Sequence, residues 1–289
     1  MFQRVLLPLD GSPVSEAIFP YLRPLVRRSG VQLFLVRAVT PAAVEPLAEL
    51  LSEERGAAER HLASVAERLT GQGFLVRTFV RVGAPLRVIS DVAAEEYADL
   101  VAMSTHGRTG IERALFGSVT ERVLRESVVP VLAIRPLLPP RGDAWAPGAE
   151  HALRTVLVPL DGSGLARGVL PWVRELASIV RARVVLLRVV EPGPAGAERE
   201  EAERDLSQAA RLLAEAAVAT ETLVEEGDPA TMILATARRR PADLIAMTTH
   251  GRTGLARLAA GSVTERVLRG AGVPVLALRP SLAAVTAVP

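Results

Sequence analysis

The chain contains no cysteine, which removes at once a disulfide framework, a thiolate metal site and a thiolate nucleophile. A reducing cytoplasm fits that usage. Lysine is absent as well, so all 34 basic residues are arginine, and a P-loop of the G-x4-G-K-(S/T) type, whose lysine clamps phosphates, is excluded. Asparagine is also missing, a bias that reads as genomic base composition rather than function. Aromatic residues make up 3% of the chain, too few for the stacking platforms of single-strand nucleic-acid binders. The 32 acidic residues are mixed among the arginines and leave a formal net charge of +2, which argues against nucleic acid as a partner. No uninterrupted run of about 18 apolar residues occurs, and the opening "MFQRVLLPLDGS" lacks the apolar stretch and cleavage pattern of a secretory signal. The expectation is a cytoplasmic protein with no membrane partner.

What is present is a repeat. "VLLPLDGS" (5–12) returns as "VLVPLDGS" (156–163), 151 positions on, and "GSVTERVLR" (117–125) returns at 261–269, 144 positions on. The second copy has therefore lost seven residues between these points. "VPVLAIRP" (129–136) and "VPVLALRP" (273–280) close the copies, and the Pro, Gly and Ala-rich stretch 137–152 between them reads as a linker. The expected organisation is a first domain over 1–136, a second over 153–280 and a short tail over 281–289; a period this long means tandem domains, not a solenoid.

Within the first copy, apolar runs at Val5–Leu9, Val31–Val39, Leu75–Val82, Leu100–Met103 and Val131–Ile134 predict five strands. Helical spacing predicts helices over Ser15–Arg28, kinked at Pro20 and Pro24, over Pro41–Leu69, from Pro85 onward and over Val119–Arg125. The long helix is shortened in copy two to about Ala197–Ala217, and Asp228 before Pro229 reads as an N-cap. Strands apolar on both faces and alternating with helices imply a parallel sheet covered on both sides. The fold class is α/β: two tandem, doubly wound, five-stranded parallel-sheet (Rossmann-like) domains. Ligands of such folds lie beyond the carboxyl ends of the strands at a switch in strand order. Asp10 and Asp161 follow the first strand of each copy, and the glycine loops "STHGRTGIERALFGSVTE" and "TTHGRTGLARLAAGSVTE" follow the fourth.

Two readings compete for those loops. Gly107 and Gly117 would let backbone approach an anion, with the N–H groups of Ser118, Val119 and Thr120 at a helix start pointing at it. Alternatively, Ser118 to Glu121 and Ser262 to Glu265 are capping boxes and the glycines only make turns. Capping leaves unexplained the nine-residue spacer that separates Gly107 from Gly117 and Gly251 from Gly261. The plain alternatives elsewhere are an Asx turn at Asp10-Gly11, a core role for Met103, and solvated arginines at Arg108, Arg113, Arg252 and Arg257. His106 and His250 have no second ligand at metal spacing, so a metal site made by protein alone is not expected.

The set "PLDGS", G-x9-G-S, V-T-E and V-P-V-L, carried by both copies, resembles the universal stress protein family in its tandem form. The resemblance implies an ATP site of the pattern G-x2-G-x9-G-(S/T) in each copy. Its second and third glycines fall on Gly107 and Gly117, and on Gly251 and Gly261; its first is replaced by Ser104 and by Thr248. It further implies that Pro8, Leu9, Asp10, Pro159, Leu160 and Asp161 line the ribose or base, and that Ala38 and Val189 meet the adenine. Met103 and Met247 would line the pocket, Arg108 and Arg252 would lie in the loops, and Ser118, Val119, Thr120, Ser262, Val263 and Thr264 would take the phosphates. A magnesium ion would enter only with the nucleotide. If a positive φ or close phosphate approach were needed at the first glycine, Ser104 would be a mild obstacle and β-branched Thr248 a worse one, which leads to the expectation that copy one alone binds. The family also implies an intrachain pseudo-dimer through the fifth strands and is compatible with a further homodimer.

Three functions from different classes remain: a nucleotide-binding regulatory protein of the stress response, an ATP-using enzyme, and an interaction module without nucleotide. Against the enzyme stand the absent P-loop lysine, the absence of Ser-Gly-Gly-x-Asp-Ser and His-x-Gly-His loops, and a lone carboxylate with no paired base. Slow ATP hydrolysis is the most the family resemblance allows.

Overall fold

A computed structural model of the chain describes residues 2–26, 30–40, 47–105, 117–135, 151–191, 196–249 and 262–279. Two compact units divide at Glu150 and His151, and each carries five strands. In the first, β1 (Arg4–Pro8), β2 (Gln32–Val39), β3 (Leu75–Val82), β4 (Leu100–Ser104) and β5 (Val131–Ile134) alternate with helices. All neighbours are parallel, in the order β3-β2-β1-β4-β5. In the second, β6 (Thr155–Pro159), β7 (Arg183–Val190), β8 (Thr220–Glu226), β9 (Leu244–Thr248) and β10 (Val275–Leu278) repeat the order as β8-β7-β6-β9-β10.

Central strands are apolar on both faces because both faces are covered. Val5, Leu6 and Leu7 of β1, Phe34 and Leu35 of β2 and all five residues of β4 are buried; each fully buried Leu, Val or Phe contributes about 1.5–3 kcal/mol. The outer strand β3 is instead half-exposed along its length and carries Arg77 and Arg81, whose guanidiniums lie over the Phe79 ring and pair with Glu96 and Glu95. Charge of this kind blunts an edge that would otherwise template another strand.

The predicted helix over Ser15–Arg28 is broken into three pieces: α1 (Pro13–Glu16), α2 (Phe19–Leu22) and a 3-10 turn at Arg23–Val26. Pro20 sits in the first turn of α2, where a missing N–H is harmless, whereas Pro24 falls where a continuing helix would need its N–H. The second copy has Glu175 in place of Pro24. There, after α6 (Gly164–Arg167), α7 runs on over Leu170–Val180. The remaining helices are α3 (Leu47–Thr70), α4 (Pro85–Glu95) and α5 (Ser118–Glu126) in the first unit, with α8 (Gly196–Ala214), α9 (Pro229–Arg239) and α10 (Ser262–Gly270) in the second. Their buried stripes follow the helical period, as Val88, Ile89 and Val92 do in α4.

In each unit the chain winds outward from β1 or β6 through two strands on one side, then returns to add β4–β5 or β9–β10 on the other. The switch in direction lies between β1 and β4, and between β6 and β9. Crevices at the carboxyl ends of such strand pairs are where this architecture receives ligands.

Candidate functional site

Both sides of the switch are built from short-range chemistry. After β1, Gly11 takes φ +87°, which only glycine adopts without strain, and its counterpart Gly162 takes +82°. The turn lets the Asp10 carboxylate fold back: its Oδ1 accepts from Ser12 N at 2.9 Å and from Ser12 Oγ at 2.6 Å. Ser12 then caps α1, accepting from Ser15 N. Asp161, Ser163 and Ala166 reproduce the arrangement, with 2.9 and 2.6 Å to Ser163. The Asx-turn reading of Asp-Gly is thus what is formed, with the carboxylates half-buried at the crevice. Pro8 and Pro159, half-buried, and Leu9 and Leu160, buried, line the same strand ends.

Across the switch, β4 ends on Ser104 and the chain continues to Thr105. Gly117 donates its N–H to the Thr105 carbonyl at 2.9 Å, and its own carbonyl accepts from Glu121 N at 3.0 Å. Gly117 is therefore the N-cap of α5, and it has no side chain to cap with. This corrects the capping-box reading: Ser118 is the first helical residue, one place too late to serve as the cap. The amino end of α5 is open, with Ser118 exposed and Val119 half-buried, and its first N–H groups lack a side-chain partner at the N-cap. Thr120 turns inward, 2% exposed, and its hydroxyl donates to the Ser104 carbonyl at 3.2 Å. Thr264 does the same toward Thr248 at 3.2 Å. These threonines staple the helix start to the strand end, so only their main-chain N–H groups face a ligand role.

Ser104 and Thr248 are the last residues of β4 and β9 and lie in the extended strand, with no positive φ at either position. A backbone objection to a β-branched residue there does not arise, because neither position needs a glycine for its φ. The Ser104 hydroxyl lies 3.5 Å from the Ser15 carbonyl, joining the β4 end to α1. Met103 and Met247 are 5% and 6% exposed and belong to the core, while Ala38 and Val189 are half-buried at the ends of β2 and β7. Val263 is half-buried beside the buried Thr264. Ser262 opens α10. Gly107, Arg108, Gly251, Arg252 and Gly261, with His106 and His250, lie outside the described residues.

Two residues at this edge escape pattern reading. Arg37 on β2 lays its guanidinium against the Asp-Gly turn, such that a Cβ on Gly11 would stand 2.6 Å from its Nη1. Arg188 on β7 packs still closer against Gly162 and is only 3% exposed. The available signal was the one charged letter inside each apolar strand, "LFLVRAV" and "VVLLRVV", matched 151 positions apart. Both place a fixed positive charge beside a half-buried aspartate at the crevice. Among the described residues, no group of three or more His, Asp or Glu is placed to hold a metal ion, and no helix is long and apolar enough to cross a membrane.

Carboxylates elsewhere brace the frame with opposite pH responses. Asp99 accepts from the N–H groups of Gln3 at 2.8 Å and Arg4 at 3.1 Å, yet burial dominates and pushes its pKa up. Asp228, capping α9, is held well below the usual range by the Arg266 guanidinium and then by Thr231. A raised acid takes up its proton more readily in the folded state, so its contribution improves as pH falls; a depressed one stabilises above its unfolded value and is lost as pH falls. Acidification below the ordinary Asp value of 3.8 is therefore expected to loosen α9 before β1, seen as an earlier loss of hydrogen-exchange protection in Thr231–Arg239 than in Val5–Leu7.

Fold and edge together define a class: a tandem α/β protein whose two doubly wound domains present matched crevices at their switch points, each flanked by an Asx turn and the start of a helix. The profile of the Universal stress protein family matches residues 1–135 and 152–279, and the chain belongs to that family. A universal stress protein of Mycolicibacterium smegmatis is 26% identical over 297 residues, covering 96% of this chain and 97% of its own. One from Methanocaldococcus jannaschii is 31% identical over 144 residues, which is 47% of this chain and 83% of the relative. The solved structure of a universal stress protein from Archaeoglobus fulgidus shares the fold with a TM-score of 0.74 at 23% identity, covering 96% of this chain and 98% of its own.

Proposed function

We propose that each domain binds an adenine nucleotide, ATP by the family pattern, at the crevice between its first and fourth strands, and that the protein acts as a nucleotide-responsive regulator in the stress response rather than as an obligatory enzyme. The observation that carries the reading is the open amino end of α5, uncapped by any N-cap side chain and set beside the strand switch. A helix start left without a cap favours an anion through its N–H groups and dipole. Arg37 and Arg188 pack their guanidiniums against the Asp-Gly turns that flank the other side of the switch. A second reading, an interaction module without nucleotide, draws on the fact that Asp10, Gly117 and Thr120 each have a sufficient role inside the protein.

Calorimetry separates the two. ATP titrated into the intact chain is expected to bind with two equivalents, and Ala38→Trp or Val189→Trp, each filling the end of an adenine-side strand, to remove one equivalent apiece. No nucleotide released on denaturing the purified protein, and no heat up to millimolar ATP, would leave the interaction module standing.

A further inference from the structure

The two copies differ where two helix starts converge. In the second, the N-cap of α9 is Asp228, whose carboxylate accepts from Thr231 N at 2.9 Å and Thr231 Oγ1 at 2.7 Å. The same carboxylate receives both ends of the Arg266 guanidinium from α10, at 2.7 and 2.7 Å. A bidentate guanidinium together with a helix start is a complete oxyanion cradle, and here the oxyanion is a side chain of the protein itself. Its carboxyl is held well below the ordinary range by those partners.

The first copy keeps the cradle and lacks the anion. Ala84 stands where the second copy has Asp228, 144 positions on, and Arg122 stands where it has Arg266. Ala84 leaves the start of α4 without a side-chain cap, and Gly117 does the same for α5. Between these two amino ends lies a groove of about 690 Å³, lined by Ala84, Arg87, Ser90, Ser118 and Arg122 among others. Arg87 and Arg122 meet carboxylates only loosely, at 3.8 Å to Asp91 and 3.9 Å to Glu126, each one turn along its own helix. Glu126 is the one acidic residue in the lining. It sits on the far side of Arg122 from the helix starts, a turn further down α5.

We propose that this groove in the first domain is an oxyanion site that takes a phosphate group, held by Arg122, Arg87 and the two open helix starts, in the position that the Asp228 carboxylate occupies in the second domain. The phosphate comes either free or as the end of a larger phosphorylated ligand, and the proposal needs no adenine. It thus makes the domains unequal: one carries its anion permanently, the other acquires it from solution.

The test uses the full chain and inorganic phosphate, with chloride at matched ionic strength as the control. Wild type is expected to gain thermal stability as phosphate rises, since a ligand that binds only the folded state stabilises by mass action. Ala84→Asp, which installs the second copy's own anion, is expected to raise the melting temperature without phosphate and to abolish most of the phosphate increment. Arg122→Gln should weaken phosphate about tenfold, the loss of one charge-assisted pair, without the intrinsic gain. Asp228→Ala should lose intrinsic stability and acquire a phosphate increment of its own. Comparing ATP with AMP distinguishes the sources: if Ala84→Asp weakens ATP and spares AMP, the groove takes a terminal phosphate, and if it spares both, the ligand is a free phosphate. A phosphate response with no binding of either nucleotide would keep the groove and remove the nucleotide reading. Equal phosphate increments in wild type, Ala84→Asp and Arg122→Gln would overturn the proposal.

Discussion

Gly117→Val is expected to destabilise the first domain by about 3 kcal/mol or more, the range of backbone collisions and overpacking in a buried frame. The glycine is not there for its dihedral freedom: φ −55° and ψ 129° suit any residue. It is there because a Cβ would stand 2.5 Å from the Thr105 carbonyl oxygen. That same oxygen accepts the Gly117 N–H, so relief requires breaking the bond that sets the α5 start. The Thr120 staple to Ser104 would go with it. Urea unfolding should show one transition moved to lower denaturant while the second domain keeps its own. Wild-type stability combined with lost ATP binding would instead put the role of this glycine at the ligand. The third glycine of the family pattern therefore has a structural reason before any nucleotide arrives, and its substitution cannot by itself report on phosphate.

Asp205→Ala is expected to cost the second domain about 2–4 kcal/mol, because truncating one side of a buried ion pair leaves the other charge buried with fewer partners. Asp205 on α8 pairs with Arg167 of α6 and lies 3.8 Å from the Arg188 Nη1. The Arg188 side chain is 4% exposed, against 37% for Arg167, so most of the cost falls on Arg188. That guanidinium packs on Gly162, and the Asp161 turn is expected to loosen with it. Thermal unfolding of the full chain checks the magnitude; Arg188→Met in the same background should recover much of the loss, since it removes the stranded charge. A cost near zero for Asp205→Ala would mean that Arg188 is held by the turn alone.

The central strands were legible because burial on both faces writes an unbroken apolar word, whereas half-exposed β3 showed only through its β-branched and aromatic letters. Val131–Ile134 and Leu75–Val82 match their predicted limits, Val31–Val39 and Leu100–Met103 shift by a residue at one end, and Val5–Leu9 shifts by one at each end. The repeat supplied the rest of the architecture. What stayed hidden depends on neighbours distant in sequence. A Ser-x-x-Glu spacing fits a capping box only if the serine precedes the helix, and the Thr105 carbonyl starts α5 one residue earlier than that spacing needs. Whether Ser104 and Thr248 need an unusual backbone turned on whether they belong to the strand, which the pairing of Ser104 with Ile134 and of Thr248 with Leu278 decides. Arg37 and Arg188 each interrupt an apolar run in the sequence. Their purpose appears only when the turn after the neighbouring strand is laid against them.

One pair of contacts distinguishes the two copies of the repeat. In the register that buries Leu62 and Leu206 alike, His61 corresponds to Asp205, and Glu16 of α1 corresponds to Arg167 of α6. The first domain joins Glu16 to His61 at 3.0 Å, and the second joins Arg167 to Asp205, so the carboxylate has moved from the short helix to the long one. Two folding units of the same topology on one chain are prone to trade elements while they fold. Here a long helix that docked on the wrong copy would set Asp205 against Glu16, or His61 against Arg167, placing acid on acid or crowding a histidine against a guanidinium. A crossed pairing would thus set carboxylate against carboxylate, a repulsion that the contacts each domain makes within itself avoid.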